Sequence, residues 1–82
     1  MTPNQLYDFA INTGKLYQQH CRMALEGAEP RIWELHVRVN VLPLFRKQTG
    51  EPYDGMSKAE LNEVATELAT YYRNHLAESD GA

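Results

Sequence analysis

The side chains able to do acid–base, thiol or metal chemistry in this chain are few: His20, His36 and His75, one cysteine at Cys21, and a run of carboxylates at Glu60, Glu63 and Glu67. No two histidines stand four residues apart, the spacing by which one helix offers two ligands to a metal ion, so a site could form only if three separate segments brought them together. Each is read instead as an amphipathic residue at the edge of the core. Cys21 follows His20 directly, and adjacent residues on a helix point about 100° apart, which prevents the imidazole from activating the thiol. With no second cysteine there is neither an internal disulfide nor a thiolate zinc site. The three glutamates, at i, i+3 and i+7, describe a solvated helix face. No G-x-S-x-G elbow, Walker loop or Gly-rich dinucleotide turn occurs. The expectation is therefore a non-enzymatic protein with no catalytic residues, no metal and no cofactor.

Aromatic residues carry the stronger signal. Five tyrosines and one tryptophan in 82 residues are many for a non-catalytic chain, and tyrosine gives large contact area at low entropic cost, which is why binding surfaces are rich in it. Trp33, Tyr53 and Tyr72 together with the basic pair Arg46 and Lys47 are the candidate partner-binding surface, next to the turn-rich loop Thr49 to Gly55. The partner expected is another protein, with a second copy of the chain also open because so short a chain buries only a modest core.

The elements that must position these residues follow from pattern. An ordinary composition, 43% apolar and 23% charged, indicates one folded domain over residues 1–82. No apolar run reaches the roughly 18 to 20 residues of a membrane span, and MTPNQLYDF lacks the basic and apolar regions of a secretory signal, so the expected setting is cytoplasmic. The net charge of −3 lies wholly in residues 57–82, which gives no global basic footprint for nucleic acid.

Thr2-Pro3-Asn4-Gln5 reads as a helix start, with Thr2 as cap, Pro3 in the first turn and Gln5 closing a capping box. Leu6, Phe9, Ala10, Thr13, Leu16, Tyr17, His20, Met23 and Ala24 then recur every three or four residues. Gly14 is a weak point in this run, but the stripe stays in register across it, predicting one helix over about 3–26. Near the other end, Ser57 and Glu60 form a second capping box with Met56 placed to staple onto Leu61. Leu61, Val64, Ala65, Leu68, Tyr71, Tyr72, His75 and Leu76 predict a helix over about 57–77, followed by a frayed tail at 78–82.

The middle segment, WELHVRVNVL from Trp33 to Leu42, supports two readings. At period two, Trp33, Leu35, Val37, Val39 and Val41 share one face, as in a strand. At period 3.6, Ile32, Leu35, Val39 and Leu42 form one stripe and Trp33, Val37 and Leu44 a second, as in a helix packed on both sides. Pro30 suits a helix start; Pro43 argues for a kink or an end. A lone strand cannot satisfy its own backbone polar groups without a second chain, so the expected fold is all-α, a three-helix bundle with helices at about 3–26, 30–47 and 57–77.

The alternative is α-β-α, with 33–42 pairing as a strand in a dimer. His36, Arg38 and Asn40 would then project from a two-stranded ribbon able to read a major groove. Over Leu35 to about Leu76 this arrangement resembles ribbon-helix-helix DNA-binding proteins, which would imply a dimeric transcriptional regulator. It departs from their pattern in the 25-residue helical segment ahead of the strand and in the shortness of Leu44 to Gln48.

Overall fold

The computed structural model describes residues 2–50 and 56–81, with side chains through residue 78. Two start signals form as the sequence predicts. Thr2 Oγ1 accepts from the Gln5 N–H while Gln5 Oε1 accepts from the Thr2 N–H, opening α1 (Pro3–Asn12). Ser57 and Glu60 make the same reciprocal pair ahead of α5 (Lys58–Gly81), and Met56 and Leu61 both join the core. The helix of α5 continues to Gly81, beyond the expected end at Ala77.

The expected first helix is two. α1 ends at Thr13, whose backbone is extended (φ −94°, ψ 106°), and α2 (Gly14–Leu25) begins at the next residue. The Thr13 hydroxyl donates to the Phe9 carbonyl at 2.6 Å, a bond that Thr66 and Thr70 also make inside the unbroken α5, so it accompanies the extended turn at Thr13 and does not by itself cause it. The break lets α1 and α2 each turn a face to α5. α2 closes in a Schellman motif: Ala28 N–H donates to Met23 O and Gly27 N–H to Ala24 O, with Gly27 at φ +69°.

The middle segment is helical. α3 (Pro30–His36), a π-helical turn (Val37–Val41) and α4 (Leu42–Thr49) run on without a break, giving an all-α bundle of four helices, with no strand among the described residues. The strand alternative fails, and the burial pattern shows why. Trp33, Val37 and Val41 are in the core, while Leu35 and Val39 face out at 48% and 56% exposure. The five residues that share one face at period two are thus divided between opposite sides. A helix also satisfies its own N–H and C=O groups, which an unpaired strand could not.

Pro43 does not end the helix, although it supplies no N–H to the ladder. The Leu42 N–H reaches back to Val37 O, five residues away, so the wider π turn accommodates the proline ring where an α turn would clash. The left-handed Gly50 (φ +72°) then stops α4, its N–H donating to Arg46 O.

α5 is the central element and packs against α1, α2 and α3. Leu61, Val64, Ala65, Leu68 and Tyr72 meet Leu6 and Ala10 of α1, Leu16 of α2, and Trp33, Val37 and Val41 of the middle helix in a single core.

Candidate functional site

The residues expected to form a partner-binding surface are not gathered on one. Trp33 and Tyr72 are each 1% exposed and stack on one another, ring centroids 6.3 Å apart and planes at 17°. They are core residues and have no surface to offer. Arg46 and Lys47 are exposed on the last turn of α4, and Tyr53 lies outside the described residues. Each apolar stripe was legible, but which of the two on the middle helix would be covered depends on where α2 and α5 lie.

Among the described residues, Tyr7, Tyr17, Tyr71 and Tyr72 all make ring contacts within the molecule, although Tyr17 and Tyr71 also remain partly exposed. Tyr7 meets Tyr71 edge-on at 6.5 Å, Tyr17 tilts onto Tyr72 at 6.1 Å, and Tyr71 stacks on His75 at 6.2 Å. The Tyr17 hydroxyl lies 2.6 Å from His75 Nε2, tying α2 to α5. Burial, and then the neighbouring Tyr71, push the Tyr72 phenol up to about 12, so it is a neutral aromatic spacer at physiological pH.

Beneath this seam is a feature that sequence reasoning missed. His20 of α2 and His36 of α3 face each other with their Nε2 atoms 2.8 Å apart, at 0% and 4% exposure. The His20 ring also lies 5.8 Å from Trp33 and 4.8 Å from Tyr72. Asn40 Nδ2 is 3.1 Å from His36 Nδ1, whereas His20 Nδ1 is buried without a partner. Burial, with the neighbouring His36, lowers the His20 pKa to about 4; burial lowers that of His36 as well. Both rings are neutral at pH 7. The signal that could have found the pair is helical register: His36 is three residues after Trp33 and next to Val37, the buried side, whereas the period-two reading put it with the polar residues.

A metal would need more than this pair supplies. Among the described residues no three histidines, cysteines or acidic side chains come close enough together to hold one. Cys21 is half-buried, near the Tyr17 hydroxyl.

The exposed counterpart of the core face is an open groove of about 320 Å³ between α2 and α3, lined by Gln19, Met23, Ile32, Leu35, His36, Val39 and Asn40. Ile32, Leu35 and Val39 are 43%, 48% and 56% exposed. Their spacing, i, i+3 and i+7, makes a continuous apolar seam on one side of a helix. In sequence Lys15 and Arg22 stand four before and three after Gln19, and Arg31 and Arg38 four before and three after Leu35; none of the four lines the groove itself, and Arg31 lines a separate hollow with Glu34, Lys58 and Asn62. Arg31 meets the exposed Glu29 at 3.2 Å, and Arg38 caps the buried Glu34 carboxylate at 2.9 Å.

Comparison of the chain with protein-family models, with curated proteins and with solved structures finds no match. No helix among the described residues is long and apolar enough to cross a membrane.

Proposed function

We propose that this protein is a non-enzymatic protein-binding module, acting in the cytoplasm, whose α2–α3 groove receives an amphipathic helix of another protein, one bearing acidic residues beside its apolar face. The observation that carries the reading is the seam Ile32, Leu35 and Val39. Three large aliphatic side chains at helix–helix spacing stay in water although the same helix has a complete core on its other side. Helix-in-groove recognition reads this spacing through anchors at i, i+3 or i+4, and i+7.

The flanking charges choose the partner's chemistry. Lys15 and Arg22 stand within one helical turn of Gln19 on one wall, and Arg31 and Arg38 within one turn of Leu35 on the other, a spacing that supports a partner with acidic side chains beside its apolar face. A second copy fits less well. Two-fold pairing through this seam with antiparallel helices sets the Arg31/Arg38 rim against itself, and parallel pairing sets it against Lys15 and Arg22. Like charges face one another either way. The acidic α5 of a second copy is no substitute, because its apolar face is already in the core.

The test is an NMR titration at pH 7.5 with two synthetic amphipathic helices of identical apolar face, one with glutamate flanks and one with lysine flanks. The glutamate peptide should perturb the amides of Met23, Ile32, Leu35 and Val39, and Leu35→Asp should abolish the effect. Equal binding of the lysine peptide, or perturbations elsewhere, would overturn the reading. So would a concentration-dependent dimer in sedimentation that Leu35→Asp dissolves.

A further inference from the structure

We propose that the His20–His36 pair is an acid-released latch, which holds α2 against α3 while both rings are neutral and loosens the groove between them when the pair takes up protons. The latch stands on the geometry of the pair alone; only its consequence for partner binding rests on the groove reading.

Two imidazole nitrogens 2.8 Å apart require one N–H and one lone pair between them. With the Asn40 amide donating to His36 Nδ1, the His36 proton is on Nε2 and is donated to His20 Nε2. His20 then carries its own proton on Nδ1, the buried atom without a partner. This assignment of tautomers follows from the hydrogen-bond network.

A first added proton makes an imidazolium in a place that supplies no counter-charge. The groups around the pair are Tyr17 and Cys21 on α2, Trp33 and Asn40 on the middle helix, and Tyr72 on α5, with Tyr71 and His75 behind it. The buried carboxylate of the middle helix, Glu34, bonds Arg38 through Oε2, its Oε1 being buried without a partner, and neither oxygen bonds the imidazole pair. A second proton is more disruptive. It gives both Nε2 atoms a hydrogen, and two donors cannot face each other at 2.8 Å, so the rings must separate. One ring belongs to each wall of the groove, and His36 itself lines it. Separation therefore moves Gln19 and Met23 relative to Ile32, Leu35 and Val39. The depressed pKa values of both rings agree with a pair that the fold keeps neutral.

The experiment is a pH titration of the wild-type protein from 7.5 to 4, following imidazole ¹⁵N shifts, α2–α3 NOEs and the fluorescence of Trp33, with His75→Gln as a control for the third histidine. The expected result is that His20 and His36 stay neutral well below the ordinary histidine pKa of about 6.5, and that the NOEs and the Trp33 signal change together as the rings titrate. Titration of both rings near 6.5, or α2–α3 NOEs that survive their protonation, would overturn the latch.

A His20→Leu/His36→Leu variant should give a Trp33 signal flat over this range. A transition that persists in it assigns the change to other groups and overturns the proposal. If that variant does not fold, the wild-type rings and NOEs decide. Binding of the glutamate peptide separates the two readings: no binding at pH 7.5 with the expected ring titration removes the groove and leaves the latch. Binding at pH 7.5 that falls no more steeply toward pH 4 in wild type than in the double-leucine variant removes the latch's effect on the groove.

Discussion

The middle helix has two apolar sides that read alike in sequence and differ entirely in use. Trp33, Val37 and Val41 are covered by α5 and its neighbours; Ile32, Leu35 and Val39 have comparable bulk and remain in water. One side contributes stability and the other is available for recognition. The lesson is that apolar periodicity locates faces, and only the neighbouring elements determine which face is satisfied within the chain.

The largest test of this contrast is Trp33→Ala. Trp33 is 1% exposed, so its truncation should cost about 3–5 kcal/mol, a large part of the stability of so small a domain. Denaturant titration measures it, and a loss under 1 kcal/mol would contradict the burial described here.

Acidification should come next in size. Because His20 and His36 are held below the ordinary histidine value, the native state binds fewer protons than the unfolded chain as pH falls below about 6.5. Their contribution is complete above that pH and is lost progressively toward pH 4. With the His20 pKa lowered to about 4, the pair together makes this loss on the order of a few kcal/mol. Unfolding midpoints at pH 7.5, 6, 5 and 4 should fall steadily, and a flat profile would show that the pair imposes no such penalty.

Smaller effects sharpen the comparison at the surface. Gly14 begins α2 with a negative φ, and a Cβ there meets nothing within 4 Å. Gly14→Ala should therefore raise stability by about 0.4–1 kcal/mol, mainly by restricting the unfolded chain. A destabilisation would mean that the break at Thr13 needs glycine after it. The smallest change in stability is expected for Leu35→Asp, within about 0.5 kcal/mol, although the same change should weaken the glutamate peptide at least about tenfold. Loss of folding in that variant would place Leu35 in the core and erase the distinction between the two sides.

Much of the bundle was legible. Both capping boxes, a helix end near residue 26 and the helical start at Pro30 were written in local residue chemistry, which acts over three or four positions and survives any tertiary arrangement. The split at Thr13 was only half legible. Gly14 marked the weak point, but the stripe stayed in register across it, and the Thr13 hydroxyl bond to Phe9 that accompanies the turn belongs to the folded backbone. Passage of the helix through Pro43 was part of the expected helix over 30–47, but the π turn that accommodates the proline in place of a kink was not legible.

For the candidate site the order was reversed. Sequence alone determined that the chain forms amphipathic helices, that the middle one has two apolar sides, and that histidines and tyrosines are interspersed along them, because periodicity and capping are properties of neighbouring residues. Tertiary structure decided that Trp33 and Tyr72 are inside, that His20 meets His36 across a gap of 16 residues, and that Ile32, Leu35 and Val39 are left in water. Those outcomes depend on how α2, α3 and α5 pack, and contacts between residues distant in the chain leave no local signature.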